Sequence, residues 1–371
     1  MKIGIDATAL VPQRTGIGNY IAPILEALQR LSPESRFLLY SNGSIAFPEN
    51  HTTVHRVARP TRRPPLWQNT QLPGMLRDDR PDVFWGTNGL LPLSRPRSMA
   101  TVVTIYDLVY RFASRTQPWP TRWSRRLLQP VSARTADRLV TISRTTAGDI
   151  RNLYRRGPDA VIPPLPAIDS TAGDSVPEGA NTPVPELPPR YLLSLGTQEP
   201  RKNIATLAKA YLDLRDTGLD LPLLVVAGKP GWRNATTESL LQAGERQGRI
   251  RRLGYVATAG LSRLYEGCEA FVMPSVYEGY GMPLLEAQLC GAPVIHGPHG
   301  AMGESAGGLG VVCGTDYHAL RAMLQALAEG RLPLACRLPW THQWRAEDAA
   351  RAMWAQFEAA LGSIQPADRA Q

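Results

Sequence analysis

The feature that most constrains this chain is an alternation of short apolar runs with longer amphipathic segments, which occurs twice along the sequence. The first array extends from a predicted strand at 2–9 to a predicted helix that ends near Tyr154. The second extends from a predicted strand at 191–195 to another at 293–296. Because βα alternation builds a parallel sheet covered by helices on both faces, we predict two Rossmann-like, doubly wound α/β domains.

The two arrays are separated by a segment rich in proline, glycine and small polar residues, which shows no periodicity and is typical of a linker. We therefore predict domains at 1–168 and 190–345, joined by a linker at 169–189. A long helix near the C-terminus is expected to cross back, so that 346–371 belongs to the first domain. Doubly wound domains bind ligands at the carboxyl ends of their strands, and we expect a binding cleft between the two domains.

The composition favours an anionic partner. The net charge is +9 and nearly all of the positive charge is arginine, which suits nucleotide phosphates or phospholipid; an arginine-rich codon usage is the alternative explanation. No nucleic-acid-binding module is recognisable, and the four cysteines lack metal-ligand spacing, so we predict no nucleic acid partner and no metal site. The start at Met1–Asp6 is typical of a strand, and no apolar run is long enough for a membrane span. We expect a cytoplasmic protein or one peripheral on the inner face of the membrane.

The strongest motif pairs two glutamates eight residues apart, Glu278 and Glu286, across a glycine-rich turn that opens a helix. Glycines there let the backbone approach a ligand, and the amides of the first helical turn are preorganised hydrogen-bond donors. Carboxylates suit the vicinal hydroxyls of ribose or of a hexose. The alternative is a tight strand-to-helix turn with two solvated acids. The turn and the first helical residues are Gly279, Tyr280, Gly281, Met282, Pro283 and Leu284.

A second motif places adjacent cations, Arg201 and Lys202, at the start of a helix, after Gly196 and Thr197. Cations at a helix N-terminus add to its positive end, which is unfavourable unless an anion binds there. A diphosphate is the expected anion, and a solvated surface pair is the alternative.

A third motif, Gly16-Ile17-Gly18, opens the first helix, where glycines allow close approach of a phosphate. A dehydrogenase dinucleotide loop is the rival interpretation. Its glycines should follow the strand directly, and Ile21 occupies the place of the third glycine, so this alternative is the weaker one.

Together these motifs resemble the family 4 glycosyltransferases of the GT-B fold over nearly the whole chain. The resemblance includes the opening Ile3-Gly-Ile-Asp-Ala, the Tyr106-Asp107-Leu108 turn, and the Gly196…Asn203 and Glu278…Glu286 motifs. It implies a retaining hexosyltransferase that needs no metal or other cofactor. The implied substrates are a nucleotide-sugar donor, with GDP-mannose favoured, and a glycan acceptor.

The resemblance also implies roles for individual residues. Glu286 would hold the ribose hydroxyls, while Arg201 and Lys202 would hold the diphosphate and stabilise its charge as it leaves. Glu278 and the amides that follow it would hold the donor sugar. The remaining expected contacts are Gly16 and Gly18 with the distal phosphate, Gly196 and Thr197 in the diphosphate loop, Tyr255 and Val256 beside the base, Asp107 as a catalytic residue, and Ser143 as a possible sugar or acceptor contact.

Two positions depart from the family pattern. Tyr106 stands where many members carry a histidine that meets the donor sugar, which could mark a deoxy sugar, a different acceptor or weak activity. Thr197 stands where some relatives carry a phosphate-binding arginine, so Arg201 and Lys202 would carry more of that role.

Two segments of the first domain, 59–67 and 119–134, interleave arginine with tryptophan and leucine, as an interfacial helix on anionic lipid does. A lipid-linked saccharide acceptor in surface polysaccharide synthesis is therefore expected, and a solvated basic face is the alternative. Two other functions stay open, namely a non-catalytic nucleotide-sugar-binding subunit and another GT-B enzyme such as a nucleotide-sugar epimerase.

Overall fold

A computed structural model of the chain describes residues 1–12, 14, 16–59, 64–116, 119–168, 186–232, 234–334 and 344–364. The chain divides into two compact units, which we call unit 1 and unit 2. Unit 1 combines Met1–Leu165 with Gln343–Gln371, and unit 2 is Pro166–His342. Most of the predicted linker, 169–185, lies outside the described residues.

Unit 1 contains a seven-stranded sheet among its described residues, and every pairing in it is parallel. Its strands are β1 (Lys2–Asp6), β2 (Arg36–Ser41), β3 (Thr53–Val57), β4 (Val83–Gly86), β5 (Ala100–Ile105), β6 (Arg138–Thr141) and β7 (Ala160–Val161). Its first six helices are α1 (Gly16–Leu31), α2 (Pro64–Thr70), α3 (Leu72–Asp79), α4 (Val109–Phe112), α5 (Trp119–Thr135) and α6 (Arg144–Tyr154).

Unit 2 contains a six-stranded parallel sheet within its described residues. Its strands are β8 (Tyr191–Leu195), β9 (Leu223–Ala227), β10 (Ile250–Gly254), β11 (Ala270–Met273), β12 (Val294–His296) and β13 (Val311–Val312). Its helices are α7 (Ile204–Asp216), α8 (Ala235–Arg246), α9 (Thr258–Gly267), α10 (Met282–Leu289), α11 (Gly300–Ser305) and α12 (Tyr317–Ala328).

The strand order is β3-β2-β1-β4-β5-β6-β7 in unit 1 and β10-β9-β8-β11-β12-β13 in unit 2. In both sheets the order reverses beside the first strand, so that β1 and β4, and likewise β8 and β11, flank a topological switch point. The register places Gly4 of β1 between Leu38 of β2 and Phe84 of β4. Open parallel sheets bind ligands outside the carboxyl ends of the strands at such a point.

The buried faces follow the sequence pattern. On α1 the apolar residues at helical spacing, Ile21, Ile24, Leu25 and Leu28, are all buried, and all six residues of β5 are buried. Strands covered on both faces need such continuous apolar runs, which is why these elements were recognisable. The prediction of two doubly wound parallel α/β domains is confirmed.

The last helix, α13 (Ala346–Ser363), packs in unit 1 against α1 and β5, as predicted. Met353 and Phe357 are fully buried there, and the ring of Phe357 lies 6.0 Å from that of Trp85. An exposed ion pair of 2.9 Å between Arg30 and Glu347 joins the two helices.

Several bounds differ from the predictions. α5 covers Trp119–Thr135, in agreement with the comparison of 119–134 with an interfacial helix. The apolar period alone predicts a helix only over 127–136, because the first turns of α5 are arginine-rich. The sequence predicted Ser143 or Thr145 as the cap of α6, and the structure confirms Ser143. The two-residue strands β7 and β13 are too short to show a pattern, and α12, capped by Asp316, is not among the predicted helices. None of the helices in the described ranges combines the length and apolar character of a membrane span.

Candidate functional site

The Gly196…Asn203 motif follows β8, and the Glu278…Glu286 motif follows β11. These two strands flank the switch point of unit 2. After β8 the chain turns at Gly196, whose φ of 141° lies outside the range that other residues favour. A Cβ at Gly196 would also lie 3.2 Å from Cε of Lys202, and a Cβ at Gly228 would lie 2.1 Å from the carbonyl oxygen of Gly196. The loops after β8 and β9 therefore pack too closely for side chains at these positions.

Glu278 lies between the two cations of the second motif. Nζ of Lys202 is 2.7 Å from Oε1 of Glu278, and Nη1 of Arg201 is 2.5 Å from Oε2. Arg201 also contacts Glu199 at 2.6 Å and donates a hydrogen bond to the carbonyl of Tyr277 at 2.9 Å. The structure thus brings Glu278 against two predicted site residues, Arg201 and Lys202, although Lys202 precedes it by 76 positions in sequence.

The electrostatics of this cluster favour the ionised form of Glu278. Burial alone would raise the pKa of Glu278, but the charges of Arg201 and Lys202 and a hydrogen bond from Lys202 outweigh it and lower that pKa to about 2. Burial and the neighbouring Arg201 lower the pKa of Lys202, and Glu278 opposes both effects. Two desolvated basic side chains therefore meet at Glu278, and an anionic ligand there would share both of them with Glu278 and would share Arg201 also with Glu199.

Asn203 fixes the two loops to each other. Its backbone adopts a left-handed conformation with φ of 59°, which asparagine tolerates better than most residues. Its Nδ2 donates to the carbonyl of Thr315 at 2.7 Å and to that of Pro274 at 3.2 Å. The amide of Val276 also donates to the carbonyl of Arg201 at 3.0 Å. Sequence reasoning included Asn203 in the motif but assigned it no function.

The turn before α10 forms as predicted. Gly281 caps the helix with φ of 107°, and a Cβ there would lie 2.8 Å from Oγ of Ser305. Pro283 stands in the first turn, where its missing N–H costs nothing. The amide of Leu284 already donates to the carbonyl of Gly281 at 2.9 Å. The amide of Leu284, one of the predicted ligand-binding amides, therefore has a backbone partner within the turn.

Glu286 lies one turn into α10 and is 6% exposed. Its Oε1 accepts from the amide of Ala167 at 3.3 Å, and its Oε2 accepts from the hydroxyl of Tyr265 at 3.3 Å. Burial raises the pKa of Glu286 to about 7, although both hydrogen bonds oppose the shift. Tyr265 on α9 is fully buried and was missed by sequence reasoning, because nothing in its local pattern distinguishes it from a core tyrosine.

The predicted base-binding residues lie at the end of β10. Tyr255 is 54% exposed, and Nζ of Lys229 lies 4.7 Å from the centroid of its ring. Val256 is half-buried against the core, and Thr197 is exposed. An exposed aromatic ring beside a cation offers a flat surface for a nucleobase.

Of four further predicted residues of unit 1, three have local structural contacts among the described residues and Gly16 does not. A Cβ at Gly18 would lie 2.4 Å from the carbonyl of Ala9, whereas Gly16 is exposed with open space around it. Oδ1 of Asp107 accepts from the amide of Val109, the first residue of α4, at 3.1 Å. Oγ of Ser143 accepts from the amide of Thr146 at 3.0 Å, which makes Ser143 the N-cap of α6. Their roles towards substrate stay predictions.

Tyr106 is held edge-on against Tyr20, with ring centroids 5.3 Å apart. Its hydroxyl is buried and has no hydrogen-bond partner among the described residues. Burial raises the pKa of Tyr106 well above its usual value, and the nearby Tyr20 and Asp6 add to this. A buried hydroxyl without a partner is costly, and a ligand hydroxyl could satisfy it.

Metal ligands are not grouped in this region. Across the described ranges, no three side chains of histidine, cysteine, aspartate or glutamate come together in a way that could hold a metal ion.

Comparison with known proteins identifies the class. Residues 15–165 match the "Glycosyl transferase 4-like domain" family, and residues 181–327 match "Glycosyl transferases group 1". The fold is that of WaaG, a glycosyltransferase involved in lipopolysaccharide biosynthesis, with a TM-score of 0.65, 17% identity, and coverage of 98% of this chain and 100% of that one. Fold and site together define a GT-B glycosyltransferase.

Relatives in sequence narrow the class. The chain is 33% identical to the O-antigen chain mannosyltransferase B of Escherichia coli over 68% of this chain and 67% of that protein. It is 37% identical to the serotype-specific mannosyltransferase WbdA of Escherichia coli over 29% of this chain, although this covers only 14% of that longer protein. The chain belongs to the family 4 glycosyltransferases, whose substrates are a nucleotide-sugar donor and a glycan acceptor.

Proposed function

We propose that the chain is a retaining mannosyltransferase that uses GDP-mannose and extends a lipid-linked glycan during the synthesis of a cell-surface polysaccharide. Both relatives described above are mannosyltransferases, and one of them acts on the O-antigen chain. The observation that carries the proposal is the cluster of Arg201, Lys202 and Glu278 at the switch point of unit 2, on the same sheet edge as Glu286.

The cluster provides the two kinds of group that such a donor needs. Arg201 and Lys202 would bind the diphosphate, the arginine through its planar fork and the lysine as a compact charge. Glu278 and the amides at the start of α10 would hold hydroxyls of the sugar, and Glu286 would accept hydrogen bonds from the ribose. Tyr255 would lie against the base.

In the proposed reaction, the bond from the anomeric carbon of the sugar to the diphosphate oxygen breaks, and a bond to the acceptor oxygen forms on the same face. The acceptor's proton passes to the departing phosphate, so no side-chain base is required. Arg201 and Lys202 stabilise the negative charge that develops on the leaving group, which is where preorganised cations lower the barrier most. We propose that these cations serve in place of a metal ion.

The acceptor is proposed to be lipid-linked because of the basic surface of α5, and the enzyme is accordingly proposed to be cytoplasmic and peripheral on the inner face of the membrane. Tyr106 would meet the donor sugar or the acceptor through its buried hydroxyl.

The first test is thermal unfolding with GDP, UDP, dTDP, CMP, ADP and NADH. A ligand at 100 times its dissociation constant should stabilise the protein by about 2.7 kcal/mol. We expect stabilisation by GDP, its loss in Lys202→Ala and Glu286→Ala, and its retention in Lys209→Ala, which removes an exposed lysine of the same unit. Stabilisation by NADH alone, or by no nucleotide, contradicts the proposal.

The second test is transfer from GDP-mannose to a lipid-linked acceptor, in buffer with and without EDTA, with the anomeric configuration of the product read by NMR. We expect an α-linked product whose rate EDTA does not change. Donor binding without turnover would favour the non-catalytic subunit. Conversion of the donor to another nucleotide sugar without an acceptor would favour the epimerase.

A further inference from the structure

The outer surface of α5 combines exposed apolar side chains with positive charge. Trp123, Leu127 and Val131 are 41%, 62% and 41% exposed and recur every four residues, so they form one row along the helix. Phe112 on the adjoining α4 is 53% exposed. Large apolar side chains exposed in a contiguous row are unusual on a surface that faces only water.

The same segment is strongly basic. Between Leu108 and Ala136 the sequence contains no aspartate or glutamate. The arginines in this stretch are Arg111, Arg115, Arg122, Arg125, Arg126 and Arg134. A surface with this charge and an apolar row complements an anionic lipid interface.

Beside this row lies a pocket of about 330 Å³ formed by α4, α5 and α6. It is lined by Tyr110, Arg111, Arg126, Arg134, Leu153 and Tyr154, among others. Tyr110 and Tyr154 are buried, and their hydroxyl oxygens lie 2.7 Å apart. The guanidinium of Arg126 lies 5.7 Å from the ring centroid of Trp123, so the pocket and the apolar row adjoin.

The contacts of the three arginines of the pocket bear on what the pocket can bind. Among the described residues, none of Arg111, Arg126 and Arg134 forms an ion pair with a carboxylate. Arg134 makes one long contact of 3.4 Å, from Nε to the carbonyl of Tyr154. Three guanidinium groups around one concave space match the several oxygens of a phosphate ester.

We propose that this pocket binds the phosphate ester of an anionic phospholipid, while the row of Trp123, Leu127 and Val131 enters the adjoining apolar layer. The apolar row favours a phosphate that is joined to hydrocarbon over free phosphate. The inference rests on the proposed location of the enzyme at a lipid surface and does not depend on the identity of the sugar donor.

The test measures the binding of the full-length protein to vesicles of phosphatidylcholine alone and of phosphatidylcholine mixed with phosphatidylglycerol. Arg111→Gln, Arg126→Gln and Arg134→Gln should each weaken binding to the mixed vesicles roughly fivefold, as expected for one arginine at an anionic surface. The matched control is Arg77→Gln, which removes an exposed arginine from α3 of the same unit and should change binding less than about twofold. Thermal unfolding with GDP confirms that each variant is folded and keeps its nucleotide site.

A second experiment, with soluble ligands, distinguishes the contribution of the pocket from that of the apolar row. Short-chain phosphatidylglycerol below its micelle concentration, glycerol 3-phosphate and inorganic phosphate are titrated by calorimetry. We expect the short-chain lipid to bind most tightly, and Leu127→Ser to weaken vesicle binding more than glycerol 3-phosphate binding. Equal losses in Arg77→Gln and the pocket variants, equal binding to both kinds of vesicle, or phosphate that binds as tightly as the lipid would each overturn the proposal.

Discussion

Replacement of Glu278 by glutamine tests whether the ion pairs at the candidate site stabilise the ligand-free protein. The pKa of Glu278 falls from 4.5 to about 2, and a shift of this size corresponds to roughly 3 kcal/mol of stability. Because the folded-state pKa is lowered, this stability is present above about pH 4.5 and is lost as the pH falls towards 2. The side chains of Glu278, Arg201 and Lys202 are 9%, 17% and 12% exposed, so solvent screens them little.

Glu278→Gln leaves Lys202 without an ion pair among the described residues, while Arg201 keeps Glu199. We expect unit 2 to lose about 3 kcal/mol at pH 7, which lowers its melting temperature by about 6–12 °C for a domain of this size. Differential scanning calorimetry measures the loss. The control is Glu245→Gln, which removes one of the two carboxylates that pair with Arg252. Because Arg252 keeps Glu238, this substitution should lower the free energy of unfolding by about 1 kcal/mol or less.

A second prediction concerns the binding of GDP to Glu278→Gln. GDP lacks the sugar that Glu278 is proposed to hold. In the wild type the diphosphate must share Arg201 and Lys202 with a carboxylate, whereas in Glu278→Gln it does not. The stabilisation by GDP should therefore be larger in the variant than in the wild type, although transfer activity is lost. A variant that melts like the wild type, or equal stabilisation by GDP in both proteins, would refute the reasoning.

Three further predictions concern single side chains. Because the pKa of Glu286 is raised to about 7, its contribution to the stability of the ligand-free protein falls as the pH rises from about 4.5 to 7. The affinity for GDP, measured by calorimetry, should instead increase about tenfold from pH 6 to pH 8, as Glu286 ionises. Glu286→Gln should abolish that dependence on pH. Tyr265→Phe removes a hydrogen bond to Glu286, so steady-state kinetics should show a KM for the donor that is raised several-fold with kcat unchanged. Because that bond lowers the pKa of Glu286, the midpoint of the pH profile of GDP affinity should move upward in the variant. Tyr106→Phe should melt at or above the wild-type temperature, because the lost hydroxyl has no partner among the described residues, while kcat/KM falls; a lower melting temperature would contradict the unpaired hydroxyl.

The fold was predictable because the buried strands are short and nearly continuous in apolar residues. Every residue of β5 and β11 is buried, and the bounds of β8 agree with the predicted strand at 191–195. The apolar period alone does not predict the first turns of α5, because arginine interrupts it there. The strands β7 and β13 contain only two residues each, and their positions depend on pairing with β6 and β12.

The candidate site was predictable as a set of motifs but not as a network. The sequence indicates that Lys202 and Glu278 both follow strands, yet only the strand order brings β8 beside β11 and the two side chains within 2.7 Å. Likewise, no local pattern pairs Tyr265 with Glu286. Long-range pairing depends on how strands are ordered in a sheet, and a single sequence does not specify that order.

The return of α13 to unit 1 affects the order in which the protein can fold during its synthesis. Unit 2 is encoded by one uninterrupted stretch, Pro166–His342, and is complete before the ribosome reaches α13. Unit 1 must wait, because Met353 and Phe357 belong to its buried interior and are translated only after all of unit 2. Nascent unit 1 therefore exposes apolar surface around Trp85 and α1 until α13 has been translated, and deletion of α13 would leave a hole in its core.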